Sequence, residues 1–188
     1  MRFFPGEVLD LTKAWIGVGL AFEILSVIAS GTFSIERAVI TFTIVGGAVV
    51  LHELGHKYVA QRMRLNARFQ SNDFMLVIGV LLAVTGFVFL APGAVQVRGG
   101  FTRKQHGLIA FAGPAVNALL AILSLVLLPI PGAGVLAQVS LRINAFLGAF
   151  NMIPFLGLDG EAILDADKQL YFGLLFLLIV LLVLSYSL

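Results

Sequence analysis

An apolar run from residue 38 to 60 carries, in its last third, the hexapeptide Leu51-His52-Glu53-Leu54-Gly55-His56. The run is long enough to cross a bilayer, whose hydrocarbon core takes about 20 apolar residues of helix. Inside hydrocarbon a chain must satisfy its own backbone hydrogen bonds, so the segment has to be helical. The pattern H-E-x-x-H then puts His52 and His56 on one helical face, where both imidazoles can address one metal ion. Glu53 lies one step round the helix, within reach of a water on that ion. Two ligands and a general base are the elements of metal-assisted hydrolysis.

The rest of the chain agrees with a membrane setting. Of its 188 residues 60% are hydrophobic and 12% charged, and the mean hydropathy is +1.04. A water-soluble domain of this size needs more polar surface. A net charge of +2, with basic residues at loop edges, excludes a nucleic-acid-binding face, which takes dense basic surface. There is no cysteine, so any metal is held by His, Asp or Glu. Pro5, Glu7 and Asp10 precede the first apolar run and no small-residue cleavage site follows it. That first helix is therefore expected to be retained.

Hydrophobic runs predict helices at 14–30, 38–60, 108–130, 135–155 and 171–188. Another apolar stretch, 74–92, is interrupted by Gly79 and Gly86. Residues 93–98 alternate with period two between glycines, the signal of a short strand. Residues 1–13 and 161–169 read as polar connections. Glu23 reads as a structural pair or an interfacial residue, and Arg142 as a snorkelling or paired one. His106 reads as a loop residue, because Arg103 and Lys104 beside it disfavour a dication. The expected fold is an all-α polytopic membrane protein with five to six transmembrane helices, a re-entrant segment and a short β-strand near the active site. It forms one domain over 1–188, with a core at about 38–160 and peripheral helices at 14–30 and 171–188.

A catalytic zinc takes three protein ligands. Asp159 stands out among the acids: it follows a helix broken by Pro154 and sits between Leu158 and Gly160. Glu161, Asp165 and Asp167 belong to a more polar, solvated stretch. Spacing alone leaves Asp159 either a third ligand or a helix cap.

Three elements together carry a resemblance. They are His52-Glu53-Leu54-Gly55-His56, Gly113-Pro114 with Asn117, and the run from Asn151 to Gly160, which matches N-x-x-P-x-x-x-L-D-G at each fixed position. In this order, framing residues 52–160, they resemble the site-2 protease family of intramembrane zinc metalloproteases. Compact, archaeal-type members are the nearer likeness, since there is no room for a PDZ insertion between the motifs. The resemblance implies one zinc ion per chain, held by His52, His56 and Asp159, with Glu53 as the base. It implies that Asn151 lies near the scissile carbonyl and that the Gly113 to Asn117 element packs the core or lines the cleft. The substrate it implies is a transmembrane protein in the lipid bilayer, and the location a cell membrane crossed several times.

Charge bias adds a topology. Lys57, Arg62, Arg64 and Arg68 follow the metal motif, so by the positive-inside rule that helix runs inward. The active site then lies toward the cytoplasm, as does the N-terminus. Asp159, at the end of its own helix, must reach the same ion, which requires an odd number of crossings between the two. Residues 108–130 supply one, so 74–92 is expected to re-enter rather than span. The 93–98 strand would then lie beside the site and offer an edge to an extended substrate. Two other readings compete: a zinc-binding membrane protein without proteolysis, and a small transporter using Glu23, Arg142 and the histidines.

Overall fold

The computed structural model describes residues 1–87 and 92–188. The chain is mostly helical, with one two-stranded sheet. Helix α1 (Glu7–Ser30) starts earlier than the apolar run does. Glu7 and Asp10 fall in its first turn, where acidic groups suit the helix dipole. Glu7 is fully buried: its carboxylate lies 2.7 Å from Lys57 Nζ and accepts from the N–H groups of Phe4 and Phe69. The expected polar lead is thus half helix, because its acid has a buried partner. Lys57 is likewise no exposed basic flank, being fully buried with its ammonium 3.7 Å from the Phe3 ring centroid.

Ile35–Arg62 form one continuous helical rod, made of α2 (Ile35–Thr41), a π-helical turn (Phe42–Gly46) and α3 (Gly47–Arg62). Ser34 caps its start by accepting from the Arg37 N–H. At the π turn the Trp15 indole donates to the Phe42 carbonyl at 2.7 Å, and Gly46 lies flat against the Trp15 ring. The metal motif follows within two turns.

The strand expected at 93–98 is β2 (Gly93–Arg98), and it pairs antiparallel with β1 (Asn66–Ser71), Phe69 opposite Val95. Between them comes α4 (Asp73–Ala83), capped by the Asn72 side chain and docked on α1 by a 2.7 Å Lys13–Asp73 ion pair. The Asn72 N–H donates to the Pro92 carbonyl at 3.0 Å. The stretch expected at 74–92 is therefore helical to Ala83, and its residues 88–91 lie outside the described residues.

Helix α5 (Arg103–Leu127) opens with a capping box between Thr102 and Gln105. That cap carries the helix back through the expected loop, so His106 is helical. Then follow α6 (Gly134–Asn151), α7 (Asp159–Ala166) and α8 (Lys168–Ser187), the last capped by Asp167. Residues 161–169, expected as a polar connection, are largely helical. Asp159 begins α7 instead of ending the helix before it.

Among the described residues four helices are long and apolar enough to cross a membrane: Glu7–Ser30, Ile35–Arg62, Arg103–Leu127 and Lys168–Ser187. Helix α6 is not one of them, since it carries Gln138, Arg142, Asn144 and Asn151. It is instead wedged among other helices, with Leu141 and Ala145 fully buried against Ala121 and Leu181. Arg142 is paired as expected, donating to the Ser185 carbonyl at 3.0 Å beneath the Tyr186 ring. Glu23 is buried but finds no hydrogen-bond partner among the described residues, so the expected pair is not there.

The Glu7–Lys57 pair joins α1, α3 and β1. Breaking a buried pair costs about 3 kcal/mol because the survivor keeps its charge. Lys57→Met should lower the thermal unfolding midpoint in detergent, and adding Glu7→Gln, which removes the stranded charge, should restore at least half of the loss.

Candidate metal centre

His52 and His56 project from one face of α3 with their Nε2 atoms 3.0 Å apart and their rings edge to face. Asp159 Oδ2 lies 3.1 Å from the first and 3.3 Å from the second. Each ring is held from behind. His52 Nδ1 is 2.6 Å from Asn117 Oδ1, and His56 Nδ1 is 2.7 Å from the Ile109 carbonyl, both on α5. Those oxygens only accept, so both Nδ1 atoms carry hydrogen and both Nε2 atoms present lone pairs. Asp159 Oδ2 is itself buried without a hydrogen-bond partner among the described residues.

Three electron-rich atoms thus converge in a dry place, and a positive charge has to sit among them. A proton is one answer. Burial pushes the Asp159 carboxyl up, but a single proton held at His56 outweighs it and keeps the group below the usual carboxylate range. A metal ion is the better one, because it can meet all three lone pairs together. Tetrahedral zinc with ligands about 2.0–2.1 Å away sets ligand atoms about 3.3 Å apart, close to the spacing here. Among the described residues, His52, His56 and Asp159 are the group of His, Asp and Glu side chains placed to do this.

Two glycines shape the site. Gly113 of α5 faces the imidazoles, and a Cβ there would meet both Nε2 atoms, that of His52 at 2.6 Å. The loop that brings Asp159 back from α6 turns through Leu156 (φ 65°) and Gly157 (φ 71°), two successive left-handed residues. Leu156 in that conformation is strained and 82% exposed.

Glu53 is half-buried and lines a cavity of about 550 Å³ together with both histidines, Asp159 and Asn151. Val95 of β2 lines the same cavity. The sheet explains why. The Phe69 N–H donates to Glu7, so Phe69 and Val95 form a non-hydrogen-bonded pair. The peptide groups of Gly93, Val95 and Val97 therefore project from the outer edge of β2, and these residues line the cavity. Asn151 donates one amide N–H to the Leu147 carbonyl at 2.9 Å, and its other N–H has no partner among the described residues.

The structure brings all five expected residues to one cavity: His52, Glu53, His56, Asn151 and Asp159. His106 joins the wall as well, stacked near Phe101, but stays out of the ligand cluster. The backing of His52 by Asn117 and of His56 by the Ile109 carbonyl was not read from the sequence. The only available signal was a buried-type Asn on each of two apolar helices, Asn117 and Asn144.

Residues 40–142 match the family described as peptidase family M50. A protein of Methanocaldococcus jannaschii that carries a zinc metalloprotease name is 34% identical over 169 residues, 87% of this chain and 85% of that protein. A second zinc metalloprotease of the same organism is 29% identical over 141 residues, 72% of this chain but 36% of its own length. A protein of Mycobacterium tuberculosis with a zinc metalloprotease name is 32% identical over 139 residues, covering 63% and 53% of the two chains. No solved structure matches the chain.

A methyl group on Gly113 would press on the Nε2 atoms of both histidines. Overpacking of this kind costs about 1–3 kcal/mol. Gly113→Ala should therefore weaken zinc binding by roughly tenfold or more, measured by chelator competition, with the helical circular-dichroism signal unchanged.

Proposed function

The chain belongs to peptidase family M50, and on that premise we propose that this multi-pass membrane protease is a zinc-dependent endopeptidase that cuts transmembrane segments of other proteins. The observation that carries this reading is the meeting of three ligand atoms, the Glu53 carboxylate and the outer edge of β2 in a single cavity. His52, His56 and Asp159 hold the zinc. Bound there, zinc supplies Lewis acidity, which polarises a peptide carbonyl and lowers the pKa of a water toward neutrality.

The chain's own groups do the rest. Glu53 takes the proton from the attacking water and passes it to the leaving amine. The second N–H of Asn151 donates to the oxyanion as it develops, a type of contact worth roughly 3 kcal/mol. A peptide bond in a membrane helix is internally hydrogen-bonded, so it must be unwound before it can be cut. The outer edge of β2 offers the unwound residues backbone partners in exchange, at Gly93, Val95 and Val97. The whole chain acts as one domain, with residues 38–160 as its core and helices α1 and α8 peripheral.

Orientation follows from charge. Arg62, Arg64 and Arg68 follow the metal motif, which supports a cytoplasmic side for that end of α3, the catalytic cavity and the N-terminus. Helix α4, with 11 residues, reaches only about 16 Å, against a hydrocarbon core about 30 Å thick. The Asn72–Pro92 hydrogen bond holds the two ends of this segment at one level. Both facts support a re-entrant 74–92, with α6 as a fifth, protein-covered crossing. The transporter reading loses its path, because neither Glu23 nor Arg142 lines the cavity.

Glu53→Gln should cut the rate of cleavage of a single-span substrate in detergent by at least roughly a hundredfold, with zinc content equal to wild type. Wild-type turnover by that variant would sink the mechanism. Single cysteines at positions 96 and 104 should be labelled in intact cells only by reagents that reach the cytoplasm, and labelling only from outside would reverse the topology.

A further inference from the structure

A file of buried polar groups leads away from His52 between α5 and α6. Asn117 Oδ1 meets His52 Nδ1 at 2.6 Å, and Asn117 Nδ2 donates to Asn144 Oδ1 at 3.0 Å. Asn144 Nδ2 donates to the Ser140 carbonyl at 2.9 Å and to Ser140 Oγ at 3.2 Å. The Ser140 and Ser124 hydroxyls are 2.7 Å apart, and Ser124 donates to the Leu120 carbonyl at 2.7 Å. Asn117 is 0% and Asn144 2% exposed.

A primary amide fits its density of neighbours either way round, so its orientation has to be fixed by what it touches. Here the choice is made at the end remote from His52. The Ser140 and Leu120 carbonyls can only accept. Ser124 donates to Leu120, so it must accept from Ser140, and Ser140 Oγ in turn accepts from Asn144. Turning the Asn144 amide over would set two oxygens 2.9 Å apart in a place without solvent. With its NH2 group toward Ser140, Asn144 shows Oδ1 to Asn117. Asn117 must answer with its own NH2, which leaves Oδ1 for His52. The hydrogen of His52 is thereby held on Nδ1 and its lone pair on Nε2.

Asn117 could not hold this arrangement alone. Released from Asn144, its amide can turn and offer NH2 to His52 Nδ1, which selects the other tautomer and points an N–H at Asp159 and His56. We infer that Asn144 is a positioning residue for the metal centre: it fixes the Asn117 amide and, through it, the tautomer in which His52 can bind metal. This rests on the reading of His52 as a zinc ligand.

The test uses the full chain in detergent, with zinc affinity from chelator competition, the absorption spectrum of the cobalt-substituted protein, and the melting temperature of each variant. Asn144→Leu keeps the volume and removes both polar atoms. Asn144→Ala removes the same atoms without adding bulk, and Ser140→Ala keeps the carbonyl that sets the direction. Partners of this kind change metal affinity about 10–100-fold. Asn144→Leu and Asn144→Ala should bind zinc at least tenfold more weakly and shift the cobalt spectrum, while Ser140→Ala stays within about threefold of wild type. Wild-type protein that takes up no zinc would refute the ligand reading itself. Zinc bound by wild type and as tightly by Asn144→Leu would overturn the positioning role and leave the ligands standing. If Asn144→Leu does not fold, Asn144→Ala decides: a tenfold loss of affinity at an unchanged melting temperature supports the role, and near-wild-type affinity overturns it.

Discussion

Lone pairs on two imidazoles and one carboxylate do not approach to 3.0–3.3 Å unless something forces them together. In this chain the force comes from helix α5, which touches none of the three through a charge. It backs His52 with Asn117 and His56 with the Ile109 carbonyl. Gly113 lets it lie directly under both rings, and one residue away the Ala112 carbonyl would sit 2.9 Å from a Cβ on Gly55. At its other end Gly107 presses against Ala166 of α7, the helix that Asp159 begins. One rod therefore sets the height of the histidines and of the carboxylate at once.

The opposite wall of the cavity is set by a separate device. The buried Glu7 carboxylate is shared between Lys57 on α3 and the Phe69 amide on β1. Lys57 follows His56 directly, so the sheet is tied to the metal helix beside the motif. That same bond decides which peptide groups of the sheet pair internally and which remain free. A carboxylate outside the cavity thus goes with a sheet in which the peptide groups of Val95 face the cavity instead of β1.

Much of this could be read in the residues, and the gaps have physical reasons. The H-E-x-x-H face and β2 follow from periodicity, which is local. Strand β1 shows the same alternation, with Ala67 and Phe69 buried between exposed Asn66, Arg68 and Gln70. In the sequence it enters only through Arg68, as part of the basic flank after the metal motif. Helix starts at Glu7 and Arg103 lie outside the apolar runs because caps and a buried ion pair, not hydropathy, determine them. Lys57 misled for a related reason: the identity of a charged residue does not say that its partner lies about fifty positions away. The directions of Asn117 and Asn144 are legible only once two helices are side by side.

The acceptors behind the histidines are an amide oxygen and a peptide carbonyl, and this has a consequence for the sum of charge. With Asp159 and Glu53 ionised and both imidazoles neutral, the side chains around the ligand atoms carry two negative charges. A dication cancels them. Had carboxylates stood behind the rings, as they often do in metal sites, two further negative charges would be left over. In water such an excess is screened, but a net charge held within a bilayer is expensive. Neutral backing makes the loaded centre electrically silent to the lipid around it.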